Sequence, residues 1–497
     1  MRRLRRVALL IAALWLAAAA GPAWSQTAEE WFRRGLNAPD DNEKIRSFSE
    51  ALRLSPGAYG AYWNRGAAYY RRKLYDLAIA DFTRAIRLRP NEAGIYVYRG
   101  NAYDDKGFFD LAVADYGRAI QLNPRAASPY LERGIAYGRK RMYDSAIADY
   151  TQAIRLKPNY GLAYNNRGAL YQQKKLFDLA LADFNEAIRI EPGRSLYHRG
   201  RGRLHIEMKN YPPAIADLTR AVDLDPSDVH NFYQRGRARE LAKMTDQAIA
   251  DYTQAIRLKP SENYLYRSRG YLYLGKGLHD LAIADYDRYL RSDPKDHASY
   301  NNRAVAYERK GLMDQALAGY LKAAEINPRY ALPRRNRARI FWAKQQYDLA
   351  AAEYTKAFEA DPKDINSIRF RAQAHQKMKR WEAARADFEK AYQLAPENAA
   401  ANNSLAWFLA TCPGPASCRD GQRAVEHALK AVGLDYQPSY MDTLAAAYAE
   451  AGRFEEAAKT QEQAAGMLRQ QKGSDARIAG YLKRVELYKR KKAHREE

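Results

Sequence analysis

From residue 59 onward, apolar and small residues fall at steps of three and four, pause, and resume on a second stretch. In the segment 59 to 92 the first stretch carries Tyr59, Tyr62, Gly66 and Tyr69, and the second carries Ala78, Phe82, Ala85 and Ile86. Such steps line side chains along one stripe of an α-helix. Each segment therefore predicts two helices joined by a short turn. Asp76 stands where the second helix wants an N-cap, because a carboxylate there can accept from first-turn N–H groups. Asp110, Asp144, Asp178, Asp246, Asp280, Asp314 and Asp348 repeat that signal, and Pro212 takes the place once. Proline is tolerated in a first helical turn.

The whole pattern recurs. Pro56, Pro90, Pro124, Pro158, Pro192, Pro226, Pro260, Pro294, Pro328, Pro362 and Pro396 lie 34 residues apart without a slip. Each ends a second helix, since the residue before proline is pushed out of the α region. An Arg-Gly pair keeps the same beat from Arg65-Gly66 to Arg269-Gly270 and becomes Arg-Ala at Arg303-Ala304, Arg337-Ala338 and Arg371-Ala372. The small residues predict close approach of the paired helices.

Residues 164 to 192 resemble the tetratricopeptide repeat, through Tyr164, Gly168, Tyr171, Ala180, Phe184, Ala187 and Pro192. The regular departure is arginine before the small residue, where the family pattern has leucine. The resemblance spans roughly residues 27 to 471. It implies an all-α fold, a right-handed α-solenoid of tandem 34-residue helix-turn-helix repeats, in which each repeat touches mainly its neighbours. The expected organisation is a signal peptide at 1–25, a degenerate first repeat at 26–58 and ten in-register repeats at 59–398. Two divergent repeats at 399–471, with a cysteine-containing insertion, and a basic capping helix and tail at 472–497 complete it.

Composition adds a location and a charge. MRRLRR followed by an apolar run from Val7 to Ala20 and by Ala23-Trp24-Ser25 reads as a secretory signal. The run is too short to span a bilayer, which needs about 20 residues. Export to the periplasm or cell envelope is the expectation. The formal net charge is +24, of which Arg2, Arg3, Arg5 and Arg6 supply four. That balance favours acidic proteins, anionic polysaccharide or anionic membrane surfaces. No nucleic-acid recognition motif accompanies it. The only two cysteines, Cys412 and Cys418, sit in ATCPGPASCRDG. In an oxidising compartment a small-loop disulfide is the first reading, with free thiols or a redox pair as alternatives. Ser474 opens a last helix with Ile478, Tyr481, Leu482, Val485 and Tyr488 on one face. It reads as a cap on the final repeat, or as a basic helix on an anionic membrane.

Two constellations of charge stand out. Asp81, Asp115, Asp149, Asp183, Asp217, Asp251, Asp285, Glu353 and Asp387 recur on the second helices, with Gly319 the gap. Against the periodic arginines they predict an Arg–carboxylate ladder, a guanidinium holding a carboxylate bidentately. The second constellation follows from the resemblance, which implies that first helices line a concave groove. Its inward positions carry Trp63, Tyr70, Val97 and Leu131 early, with Asp104 and Asp105 among them. Later they carry Arg199, Arg203, Arg237, Arg267, Arg335, Arg339 and Arg369. An acidic or extended peptide segment is the expected ligand, with solvated charge as the plainer alternative. The eight histidines make no metal-ligand spacing, and no phosphate loop or nucleophile elbow is present. His198 and His205 lie two turns apart and share a face. A non-enzymatic scaffold without cofactor follows, the alternative being a structural part of an envelope polysaccharide assembly.

Overall fold

The computed structural model describes residues 27–471 and 473–496. The signal peptide expected at 1–25 lies outside the described residues. Among the described residues the secondary structure is 27 α-helices and one short 3-10 turn, in the order helix, turn, helix throughout. No described helix is long and apolar enough to cross a membrane. The chain divides into two compact units, residues 1–251 and 252–497.

In the first unit, thirteen-residue helices such as Tyr59–Arg71 alternate with fourteen-residue helices such as Tyr75–Leu88. Each packs against the next in sequence. From Tyr59 onward the turn between partners carries a single left-handed residue. Lys73 has φ +60°, its N–H reaches Tyr70 O at 2.8 Å, and Leu74 N–H reaches Tyr69 O at 2.9 Å. Those two bonds make a Schellman cap, which satisfies the last carbonyls of the first helix. Gly107 fills the same position in the next repeat, whereas Arg141, Lys175 and Lys209 take it without glycine's freedom.

That turn corrects one expectation. The second helix starts at Tyr75 with Leu74 as its N-cap and no side-chain cap bond, so Asp76 stands one position inside the first turn. There its charge favours the helix N-terminus. Its carboxylate meets Lys106 of the following repeat at 2.5 Å. Lys140–Asp110, Lys174–Asp144 and, in the second unit, Lys310–Asp280 repeat the pairing. At the C-terminal end the proline acts as expected, Arg89 leaving the helix at φ −138° and ψ 81° ahead of Pro90.

Close approach is confirmed by the rings beneath the small residues. A Cβ on Gly100 would come within 2.7 Å of the Tyr116 ring, and one on Gly134 within 2.6 Å of Tyr150. Phe82 and Tyr116 are fully buried as a result. Leu131 is also fully buried, so it belongs to the core rather than to an open face.

The second unit continues with helix pairs to Trp381–Leu394. It then has Ala399–Thr411, Gly421–Leu434, Pro438–Glu450, Phe454–Gln470 and a final helix, Asp475–Lys489. That last helix buries Tyr481, Val485 and Tyr488. Arg484 grips the buried Asp442 at 2.8 and 3.0 Å, and Gln461 donates to the same carboxylate at 2.6 Å.

Candidate functional site

The arginine ladder supplies the frame on which any binding face rests. Arg167 Nε and Nη2 both donate to Asp183 at 2.8 Å, while Nη1 reaches back to Thr151 Oγ1 at 3.0 Å. One guanidinium thus ties its own helix pair to the preceding second helix. Tyr164 and Tyr171 flank its plane at 5.6 and 5.7 Å. The hydrogen bond to Asp183 raises the guanidinium's pKa. Arg65, Arg99, Arg133, Arg201 and Arg235 make the same carboxylate contact in the first unit, and Arg269, Arg337 and Arg371 do so in the second. At the Gly319 gap, Arg303 turns to Asp287 instead.

His198 and His205 do share a face, and both approach the ladder carboxylate of Asp217, at 3.8 and 3.9 Å. Burial lowers the pKa of His205. Among the described residues, no group of three or more His, Cys, Asp and Glu side chains is placed to hold a metal ion.

The arginines expected to face a partner separate into three kinds. Arg199 is paired with Asp228 and donates to Asn231 Oδ1 at 2.9 Å. Arg267 and Arg335 meet Asp296 and Asp364 in the same register, at 3.5 and 3.2 Å. Those aspartates are N-caps of the following first helices, so these arginines bridge adjacent repeats. Arg339 pairs with Glu308 at 2.8 Å. Arg203 and Arg237 are exposed on the helices Ser195–Glu207 and Val229–Leu241. Among the described residues they have no carboxylate partner. Arg369 is the third kind, half-buried and hydrogen-bonded to Ser404 Oγ at 3.0 Å.

Of the early positions, Trp63 is half-buried and meets Tyr98 edge-on at 6.1 Å. Tyr70 donates its hydroxyl to Asp105 at 2.6 Å. Burial, then that bond, raises its pKa. Asp104 is buried and pairs with Arg139 at 2.7 Å. Burial raises the pKa of Asp104 and of nearby Glu132.

Cys412 and Cys418 are bonded, with Cα atoms 6.3 Å apart. Arg419 Nη1 ties their loop down by donating to Cys412 O at 3.0 Å and Gly414 O at 2.9 Å. Gly414 lies so close to Trp381 that a Cβ would come within 2.7 Å of the ring. Beside that contact opens a cavity of about 820 Å³, lined by Trp342, Arg369, Trp381 and Trp407 among others. Glu496, from the tail, also lines it. Sequence reasoning reached Arg369 and the cysteines but not this enclosure. Three of the seven tryptophans gather there, after none between Trp63 and Trp342. That clustering was the available signal.

Family models described as tetratricopeptide repeat match residues 61–92, 161–194, 336–364 and 367–398, and overlapping stretches from 199 to 331. A model described as TPR repeat matches 100–140 and 142–175. No curated protein matches the chain. Among solved structures, a MamA protein is 26% identical over 33% of this chain and 91% of its own, with a TM-score of 0.32. A tetratricopeptide repeat protein from Parabacteroides merdae is 19% identical over 49% and 98%, at 0.43. YrrB, titled a TPR protein with an unusual peptide-binding site, is 21% identical over 44% and 95%, at 0.28.

Proposed function

The chain belongs to the tetratricopeptide-repeat family, and from that premise we propose that it is a non-enzymatic scaffold of the bacterial periplasm or envelope. In this reading it holds an acidic, extended segment of a partner protein on the exposed faces of its first helices. The observation that carries the reading is the division among the arginines. Arg199, Arg267, Arg335 and Arg339 are neutralised by carboxylates of the chain itself. Arg203 and Arg237, one repeat apart on exposed helix faces, remain available. A guanidinium in that state binds carboxylates by charge-assisted, bidentate hydrogen bonds. Export is supported by the basic and apolar N-terminal segment and is consistent with the cysteine pair.

Crosslinking in the native envelope, with mass spectrometry, tests this directly. Crosslinks from residues 195–241 to an acid-rich segment of one protein are expected. The variant Arg203→Glu/Arg237→Glu should reduce their yield at least about tenfold, the loss expected for two charge-assisted contacts. Unchanged capture would overturn the reading. Salt-sensitive retention on acidic polysaccharide, with no protein crosslink, would instead favour a structural role in a polymer assembly.

A further inference from the structure

Arg369 holds the register of Arg199, Arg267 and Arg335. Each of those three faces an aspartate 29 residues on, namely Asp228, Asp296 and Asp364. The matching place after Arg369 is Asn398, which caps the helix Ala399–Thr411 by accepting from Ala401 N–H at 2.9 Å. Arg369 is left with neutral partners. Its Nε donates to Ser404 Oγ at 3.0 Å and its Nη1 to Asn366 Oδ1 at 3.1 Å. Among the described residues it meets no carboxylate. Burial lowers its pKa from the usual arginine value. A desolvated cation without a counter-charge is costly and is relieved by any anion that reaches it.

What surrounds it is concave and aromatic. The cavity of about 820 Å³ lies within the range of roughly 300–1,000 Å³ common for ligand pockets. Trp342, Trp381 and Trp407 supply apolar faces. Asn403 lines the same space, and its buried Oδ1 has no hydrogen-bond partner. One carboxylate already enters. Glu496 accepts from Trp407 Nε1 at 2.7 Å and from Gln376 Nε2 at 3.3 Å. Glu496 N–H donates to Thr411 O at 3.0 Å, and Arg495 pairs with Glu450 at 2.7 Å, which holds the tail against the cavity.

We propose that this cavity is a receptor for a peptide carboxylate flanked by apolar residues, and that His494–Glu496 of the same chain occupies it until such a peptide displaces them. Arg369 supplies the charge, the tryptophans take the flanking apolar side chains, and Asn403 Oδ1 accepts a backbone N–H of the incoming strand. The tail acts as a tethered competitor. Tethering gives it an effective concentration in the millimolar range, so it sets a threshold that weak acidic peptides do not pass. The site uses residues of the second unit alone, and its fate is independent of Arg203 and Arg237.

The test is fluorescence anisotropy with fluorescein-labelled (Glu-Leu)4 peptide against the full chain. Glu496→Gln weakens the tail's hold, so the peptide should bind about tenfold more tightly than to the unaltered chain, as removal of a competing state requires. Adding Arg369→Gln to that variant should cost tenfold or more. A (Lys-Leu)4 peptide should not bind. Should Arg369→Gln fail to show a normal melting transition, Gln373, which also lines the cavity, offers Gln373→Glu, which adds a negative charge to the wall with little change in volume and should weaken binding likewise. Equal affinity for the unaltered and Glu496→Gln chains would overturn the proposal. So would absence of binding to both, or indifference to the charge changes.

Discussion

Asp183 and Asp144 carry the same carboxylate and pair with cations at 2.8 and 2.5 Å, yet their environments assign them different weights. The side chain of Asp183 is 7% exposed and that of Asp144 is 88% exposed. Removing one partner of a buried pair strands the other charge, at a cost of about 3 kcal/mol or more, whereas exposed pairs contribute little. Asp183→Ala should therefore lower unfolding stability by about 3 kcal/mol in urea titration, with Asp144→Ala close to the unaltered chain. Equal effects would show that the ladder does not depend on burial. Glu132 gives a pH-dependent counterpart. Burial and the charge of Asp104 raise its pKa in the fold, so the native chain holds a proton that the unfolded chain releases. Stability from this group is present below the unfolded value near 4.5 and is lost as pH rises through the folded one. Glu132→Gln should raise Tm at pH 7 and leave it unchanged near pH 4. At this scale the Arg–Asp pairs were legible because they repeat with the period. The pairing of Arg199 with Asp228 was not, because the two lie in different repeats and the aspartate follows only some of the arginines.

At the scale of the element, helices and their ends were read with unequal success. Second helices stop at the periodic proline because the constraint is covalent and local. Their starts were misplaced because the preceding turn is set by one left-handed residue, and lysine at that position gives no sign of it. The final helix bears on a choice that amphipathicity left open. Tyr481, Val485 and Tyr488 are buried, and Arg484 covers the buried carboxylate of Asp442. Deleting residues 474–497 uncovers both. Tm should fall by more than about 5 °C, as loss of a few kcal/mol implies. An unchanged Tm with loss of membrane association alone would restore the membrane reading. The cysteine loop likewise takes its meaning from its neighbour. Gly414 against Trp381 makes it a wall of the cavity, a role that loop length and composition do not encode.

For the molecule as a whole, the net charge of +24 describes a tendency toward anionic partners, and the structure distributes it. Most ladder and bridging arginines are neutralised internally, whereas Arg203, Arg237 and Arg369 meet no carboxylate among the described residues. What the sequence by itself determined is the repeated unit: two helices, a small residue under an aromatic ring, an arginine facing a carboxylate, and a proline stop. These depend on spacings within one repeat, and a strict period exposes them. Only the tertiary structure decided which cations keep their charge unmatched and where a cavity opens. Those outcomes depend on groups far apart in the chain, such as Gln376 and Glu496, 120 residues apart. Packing alone brings such groups within hydrogen-bonding reach.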